Sequence, residues 1–296
     1  MISGVKGWLG HAAVHVLTEQ RGVSSQDIIG IGRITEQVLI GDKNSIRVVT
    51  WNEAEEFTGE VTFLHFAFST RDKIESLGYD EFVNRNREII RSASRFITLV
   101  KPRRVILASS GAVYDNADTQ ELTTDIVENP YGVLKLEEEV ELSQAAKSVA
   151  ATCVITRLWS LSGQDLQNSQ PFALADFILS ARKTKQIVIH SDFRVFRRYV
   201  DARELMLLML IIAEADASIT FDSGGPLVEI RKLAKEVARQ FPEEIEIHEA
   251  ILNELKVEDR YYSRLNTYEE LCQKYLGIKP LALNRQVKNT IDGLLC

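Results

Sequence analysis

Short apolar runs alternate along this chain with longer stretches in which apolar positions recur every three or four residues. Runs of four to eight apolar residues bounded by turn formers read as buried strands, and recurrence near 3.6 residues reads as amphipathic helix. Asp27–Arg33, Ile46–Trp51, Val61–Phe68, Val105–Ser110 and Cys153–Leu158 are strands by this rule. His11–Gln20, closed by Gly22, and Asp80–Val100 carry the helical pattern. In the second, Phe82, Ile89, Ala93, Phe96, Ile97 and Val100 make one stripe, which leaves Arg85, Arg87, Arg91 and Arg95 on a solvated face. Pro102 ends that helix. After a polar loop, Asp115–Asn129, another helix opens at Asn129-Pro130, a good N-cap followed by the residue suited to the first helical position. Its Leu134, Val140 and Leu142 are assigned to packing, and the glutamates from Glu137 to Glu141 to water. Strands alternating with helices predict an α/β fold of the Rossmann type, a doubly wound parallel sheet covered on both faces.

The regular alternation stops after Gly163. A polar loop (Gln164–Pro171), a helix (Phe172–Ala181), a short strand (Ile187–His190), an apolar helix (Glu204–Glu214) and a strand (Ser218–Phe221) follow. Thr267-Tyr268-Glu269-Glu270 opens a last helix as a capping box, and Gly277 caps its end. These smaller elements predict a C-terminal α+β lobe.

Three stretches carry chemistry. Ser3-Gly4-Val5-Lys6-Gly7-Trp8-Leu9-Gly10 stands directly before a helix. Glycines at this spacing permit a tight turn, a close backbone approach to a diphosphate, and close helix packing. Only Met1 and Ile2 precede the loop, where a strand of about five residues belongs. Either that strand is very short, or the recorded start is late, or another segment fills the gap. The next strand ends in Gly32-Arg33. In a dinucleotide fold an acid here holds the ribose of NAD and an arginine accommodates the 2′-phosphate of NADP, so Arg33 tilts the choice to NADP over NAD; the alternative is an ordinary surface arginine. Small Ala67 stands where backbone passes close to a ring, and His65, in an apolar run, reads as structural.

The third stretch is the strand end Ser109-Ser110-Gly111-Ala112-Val113-Tyr114 with Tyr131 and Lys135 of the following helix. Residues i and i+4 lie one above the other on a helix face. An ammonium beside a phenol favours the phenolate, and a serine hydroxyl brought to the same place binds the oxygen of a carbonyl or alcohol. Such a set moves a proton while a hydride moves elsewhere.

Composition narrows the class. With 296 residues, 45% hydrophobic and 26% charged, the chain is that of a soluble globular protein. A net charge of −7 argues against a general nucleic-acid binder. No apolar run reaches the ~18 residues of a membrane span, and the N-terminus lacks a signal-peptide layout. Cys153, Cys272 and Cys296 have no metal-ligand spacing, so no metal is expected and the thiols fit a reducing cytoplasm.

The glycine loop, the Ser110 strand end and Tyr131-x-x-x-Lys135 together resemble the extended short-chain dehydrogenases/reductases, the NAD-dependent epimerase/dehydratase family acting mainly on nucleotide sugars. Arg157-Leu158-Trp159-Ser160-Leu161-Ser162-Gly163, Arg197-Arg198-Tyr199-Val200-Asp201 and Phe221-Asp222-Ser223-Gly224-Gly225 extend the resemblance in the family's order over nearly the whole chain. The resemblance implies that Tyr131 is the acid/base, that Lys135 lowers its pKa and holds the nicotinamide ribose, and that Ser110 binds the reacting oxygen. It implies that Gly4, Gly7, Trp8, Leu9 and Gly10, with Gly32, Arg33 and Ala67, surround the dinucleotide. Gly111, Ala112, Ser160, Arg197 and Arg260 fall at substrate positions. Residues 1–165 with about 198–223 correspond to the NAD(P)-binding domain, and 166–197 with 224–296 to the substrate lobe. The helices after Asp80 and at Tyr131 match those of a dimeric four-helix bundle. Gly111-Ala112 replaces the Asp-Glu pair of dehydratases, which discounts dehydration; Ser160 replaces a frequent asparagine, and Arg203 a common aspartate. The expectation is a keto-sugar reductase, with a nucleotide-sugar epimerase as the alternative. A non-catalytic dinucleotide sensor or scaffold is the alternative of another class.

Overall fold

A computed structural model describes residues 1–116, 118–166 and 172–295; Cys296 and residues 167–171 of the expected polar loop lie outside them. From the N-terminus come β1 (Ile2–Ser3), α1 (Trp8–His15), β2 (Ile29–Gly32), β3 (Glu36–Ile40), β4 (Asn44–Thr50), α2 (Trp51–Glu55), β5 (Thr62–His65), α3 (Ile74–Leu77) and α4 (Tyr79–Val100). Next are β6 (Arg104–Ser110), β7 (Tyr114–Asn116), β8 (Glu121–Leu122), α5 (Pro130–Ser148), β9 (Thr152–Leu158), β10 (Ser160–Ser162), α6 (Ala173–Thr184) and β11 (Gln186–Ile189). The chain closes with β12 (Val195–Asp201), α7 (Ala202–Glu214), β13 (Ile219–Asp222), β14 (Leu227–Glu229), α8 (Ile230–Arg239), β15 (Glu246–Glu249), β16 (Asp259–Tyr261), α9 (Thr267–Leu271) and α10 (Leu283–Leu295).

Two compact units result: Met1–Leu158 with Met206–Phe221, and Trp159–Leu205 with Asp222–Cys296. The first holds an eight-stranded sheet in the order β13-β9-β6-β5-β1-β2-β4-β3. From β1 the chain winds outward through β2 and β4, then returns to β5 and winds the other way. The reversal between β1 and β5 is where such sheets bind ligands, at the carboxyl ends of the strands. Strand β1 is very short yet pairs on both sides, Ile2 with Gly30 and with Leu64; Met1 and Ser3 carbonyls accept from Leu64 and Phe66 N–H. Strand β3, which the sequence reading lacked, returns antiparallel on β4 around Gly41 at φ +59°. Beneath one face of the sheet, Phe63, Phe96, Leu107, Leu142 and Ala146 form the core, with the Phe63 and Phe96 rings 4.6 Å apart.

Helix α5 corrects an expectation. Val140, assigned to packing, is 49% exposed, whereas Glu138 and Glu139, assigned to water, are buried. Both carboxylates have cationic partners inside, so charge pairing overrides polarity at these positions. The expected polar loop before α5 also contains the β7–β8 hairpin.

In the second unit, β12 lies between β10 and β14 and also pairs with β16; β11 pairs with β15. Because β12 takes its partners there, residues 198–205 cluster with this unit and not with the first, where they were expected. Phe177, Leu233, Val237 and Val287 pack its core, the last three from α8 and α10, two helices added to the expected set. The capping box at Thr267 does not form: Thr267 is already helical, and Asn266 precedes it without a side-chain cap. Gly277 ends that helical stretch in the left-handed conformation, as expected.

Candidate active site

The glycine loop is shaped by what cannot fit. Gly4 has φ +73°, and a Cβ on it would stand 2.7 Å from the Ala67 nitrogen; one on Gly10 would stand 2.5 Å from the Gly4 carbonyl oxygen. Only hydrogen at both positions lets the loop fold under the start of α1, with Gly7 N–H bonded to the Gly4 carbonyl and Trp8 and Leu9 as the first helical residues. The loop borders a cleft of about 720 Å³ that Gly32, Arg33, Lys6, Ala67 and Phe68 also line. Gly32 ends β2 without a carboxylate. Glu36, also on the cleft, is held by Lys6 at 2.5 Å. Glycine backbone at a strand-to-helix turn, beside an open cleft with cationic side chains, suits a dinucleotide diphosphate.

The second part of the site is assembled by the join between β6 and α5. Ser110, the last residue of β6, accepts the Ala112 N–H on its Oγ at 3.1 Å. The Asn129 side chain caps α5 through the Gly132 N–H (3.0 Å) and donates to the Ala112 carbonyl (2.8 Å). A Cβ on Gly132 would lie 2.0 Å from that carbonyl oxygen, so Gly132 lets the helix start close against the turn. The sequence reading passed over this glycine. The clamp brings Tyr131 and Ser110 together closely enough for the serine hydroxyl to act on the phenol. Gly111 and Ala112 form the turn beside it. Ser110 and Tyr131 therefore meet as expected.

Lys135 is held from three sides. Its buried Nζ donates to the Ala108 carbonyl (2.9 Å) and to Glu138 Oε2 (2.8 Å), and lies 3.9 Å from the centroid of the Phe68 ring. Phe68 packs edge-on against Tyr131, 5.8 Å between centroids. Burial pushes the Tyr131 phenol up to about 12; the nearby Ser110 hydroxyl opposes the rise, and the carboxylates of Glu138 and Asp72 add to it.

His65 is more than an apolar-run residue. Fully buried, it shares a 2.5 Å hydrogen bond with Ser3 Oγ through Nδ1, and its Nε2 stands 3.2 Å from Glu138 Oε1. One turn position on, Glu139 grips Arg157 through Nε (2.9 Å) and Nη2 (2.7 Å), accepts from Ser109 Oγ (2.5 Å), and so pins α5 to the ends of β6 and β9. Nothing in helical spacing separates these two glutamates; only their partners across the sheet do.

The residues assigned to substrate beyond β9 lie in the second unit. Ser160 opens β10, opposite Tyr199. Arg197 on β12 holds Asp259 with Nη1 (3.1 Å) and Nη2 (2.7 Å) and lies 5.6 Å from the Tyr261 ring centroid. Arg260 on β16 bonds Glu258, with Nε at 2.9 Å. Arg203 is held by Asp165 at 2.6 Å. Cys153 and Cys272 are buried free thiols. Among the described residues, no His, Cys, Asp and Glu group is arranged to hold a metal, and no helix is long and apolar enough to cross a membrane.

A profile of the NAD dependent epimerase/dehydratase family matches residues 1–222. No curated protein sequence matches the chain significantly. Solved structures with a similar fold include UDP-N-acetylglucosamine 4-epimerase from Methanobrevibacter ruminantium M1 in complex with UDP-N-acetylmuramic acid, 15% identical, TM-score 0.76, covering 99% of this chain and 97% of that one. UDP-glucose 4-epimerase from Brucella ovis in complex with NAD is 15% identical, TM-score 0.74, with 98% and 96% covered. UDP-N-acetylglucosamine 4-epimerase from Bacillus cereus is 17% identical, TM-score 0.73, with 99% and 94% covered.

Proposed function

The chain belongs to the NAD dependent epimerase/dehydratase family, enzymes of the short-chain dehydrogenase/reductase type, and we propose that it reduces a ketone on a nucleotide-linked sugar with NADPH. The observation that carries this reading is the Ser110–Tyr131 pair at the carboxyl end of β6. A bound nicotinamide supplies the hydride. Ser110 holds the carbonyl oxygen, and Tyr131 gives that oxygen a proton as charge develops on it. A tyrosine phenol, ordinarily near 10 and pushed higher here by burial, carries its proton at neutral pH. Gly4, Gly7 and Gly10 receive the diphosphate, with Trp8 and Leu9 at the helix start behind it. Arg33 and Lys6 on the cleft, beside a β2 end without a carboxylate, support the 2′-phosphate of NADP. Within the second unit, Arg197 shares one face of its sheet with Tyr199, Tyr261 and Ser160 and offers that face a guanidinium for a diphosphate, whereas Arg260, opposite Phe196, stands on the other face. A second copy packs against α4 and α5 through a face carrying Arg87, Arg91, Glu137 and Val140; light scattering at twice the 33.4 kDa of one chain supports this dimer, and a monomer mass overturns it.

Glu36 on the cleft favours a second reading. A carboxylate there suits the ribose hydroxyls of NAD, and an epimerase, which oxidises and then reduces the same carbon, retains its cofactor. The structural neighbours named as 4-epimerases point the same way. Titration of the protein with NADPH and NADH, repeated for Arg33→Ala, separates the two. NADPH bound more tightly, with the preference lost in the variant, is the expected result. Equal binding of NADH, or NAD retained through purification, moves the epimerase first. Binding of neither overturns both.

A further inference from the structure

Two sides of the Lys135 ammonium are taken by hydrogen bonds, and a ring closes a third. An ammonium has three N–H donors. One goes to the Ala108 carbonyl (2.9 Å) and one to Glu138 Oε2 (2.8 Å), while the centroid of the Phe68 ring lies 3.9 Å from Nζ. A cation against an aromatic face is a favourable contact, and more so out of water; Lys135 is buried. The same ring meets Tyr131 edge-on, 5.8 Å between centroids. Phe68 also lines the cleft, together with Gly4, Ala67 and Arg33. One residue therefore touches the cleft and both members of the Tyr131–Lys135 pair. Its backbone is pinned on either side. The Ala67 nitrogen lies so near Gly4 that a Cβ there would stand 2.7 Å away. The buried Asn86 side chain accepts the Ser69 N–H (2.8 Å) and donates to the Ser69 carbonyl (3.3 Å). With the chain fixed before and after it, the ring moves by changing rotamer.

We propose that Phe68 determines which ligands the cleft admits: its ring covers the side of Lys135 that a nicotinamide ribose must take, so a whole dinucleotide binds only by turning the ring away. The inference rests on the cleft being the dinucleotide site, with Lys135 reaching the nicotinamide ribose. The other two approaches to the ammonium belong to Ala108 and Glu138, which are part of the fold and do not leave. The adenosine diphosphate half meets no such obstacle, because Gly4 and Arg33 border the cleft directly. Turning the ring forfeits its contact with the ammonium, which the ribose hydroxyls then replace. The half-buried ring packs at the edge of a small cluster around Phe82, Val83 and Leu134, so the turn does not open the main core of the unit, which is built on Phe63, Phe96 and Leu107.

Isothermal titration with matched ligands tests this, each pair differing by the nicotinamide half: NADPH with 2′,5′-ADP, and NADH with ADP. In Phe68→Ala the dinucleotides bind about tenfold more tightly than to the wild type, the scale of one buried cation–π contact. The two adenosine ligands bind as before. Halves and dinucleotides shifting together overturn the proposal, because the ring would then shape the whole cleft instead of screening the lysine. Dinucleotide binding that is unchanged or weaker in Phe68→Ala overturns it as well, since the ring would then be a support for the nicotinamide. Should Phe68→Ala fail to fold, Phe68→Leu decides by the same criteria: it keeps an apolar side chain beside the Phe82 cluster and removes the aromatic face. Absence of dinucleotide binding from wild type and variant alike also overturns the proposal. Wild type that binds NADH as tightly as NADPH sinks the NADPH-dependent reductase and leaves the test of Phe68 intact, because each comparison is made within its own pair.

Discussion

The two units treat their functional side chains in opposite ways. In the first, backbone delivers them: glycine at Gly4 and Gly10, a strand end at Ser110, a one-turn helical spacing from Tyr131 to Lys135. They converge on one end of one sheet, around the reversal between β1 and β5. In the second, Ser160, Arg197 and Arg260 stand on three different strands, and both arginines are engaged by carboxylates on neighbouring or nearby residues, Asp259 and Glu258. The contrast separates groups placed by chain geometry from groups placed by long, flexible side chains. A site of the first kind takes its shape from the backbone, with no ligand needed to set it. The anion binding proposed for the second kind would require an arginine to exchange a carboxylate for the anion.

The largest effect is expected where geometry has no slack. In Gly10→Ala the new methyl would stand 2.5 Å from the Gly4 carbonyl oxygen and from the backbone of Val5. Backbone atoms cannot turn aside as a side chain does, so the loop must open. The expected loss is about 3 kcal/mol of stability, the upper end for overpacking, together with loss of dinucleotide binding. Urea denaturation and an NADPH titration read both. A variant that binds as the wild type does would show that the loop has room the structure denies.

Next in size is Tyr131→Phe. Turnover is expected to fall at least ~10²-fold, the usual scale for a positioned acid, while dinucleotide binding stays. Unchanged turnover on the substrate would remove Tyr131 from the chemistry. The same variant has a pH signature. The folded phenol is raised from 10 to about 12, so folding favours the protonated form. Its contribution to stability is complete below pH 10 and is lost as pH rises from 10 toward 12. Between those limits the stability of Tyr131→Phe should fall less steeply than that of the wild type; parallel curves would mean that the phenol is not held protonated by the fold.

What was legible in the sequence follows the same division. The parallel α/β alternation, the capping of α5 by Asn129, and the meeting of Ser110 with Tyr131 were readable, because each depends on local spacing and backbone chemistry. The fate of α5's glutamates was not. Polarity alone sends Glu138 and Glu139 to water, and only the strands behind the helix reveal His65 for one and Arg157 for the other. The partner of Lys135 was hidden for the same reason: the phenol four residues away is visible in the chain, whereas Glu138, which pairs with the ammonium, sits three residues away on a face the pattern had assigned to solvent. In the second unit, β12 was hidden inside an arginine cluster, since its partners come from residues 160, 228 and 260, far apart in sequence.

The smallest effect probes the second unit directly. Arg197 and Asp259 form a partly exposed pair, with Nη2 to Oδ2 at 2.7 Å, and such pairs contribute about 0–1 kcal/mol. Asp259→Asn keeps an acceptor for the guanidinium but removes the competing charge. UDP, used as the probe, should then bind up to about fivefold more tightly, the equivalent of that contribution, with little change in stability. The carboxylate has a second possible job: it braces the guanidinium, which also rests against the Tyr261 ring. If bracing dominates, the variant binds UDP more weakly and Arg197 counts among the side chains placed in advance, like those of the first unit. Tighter binding keeps the two units distinct, one with a site built before its ligand and the other with arginines that trade partners to receive one.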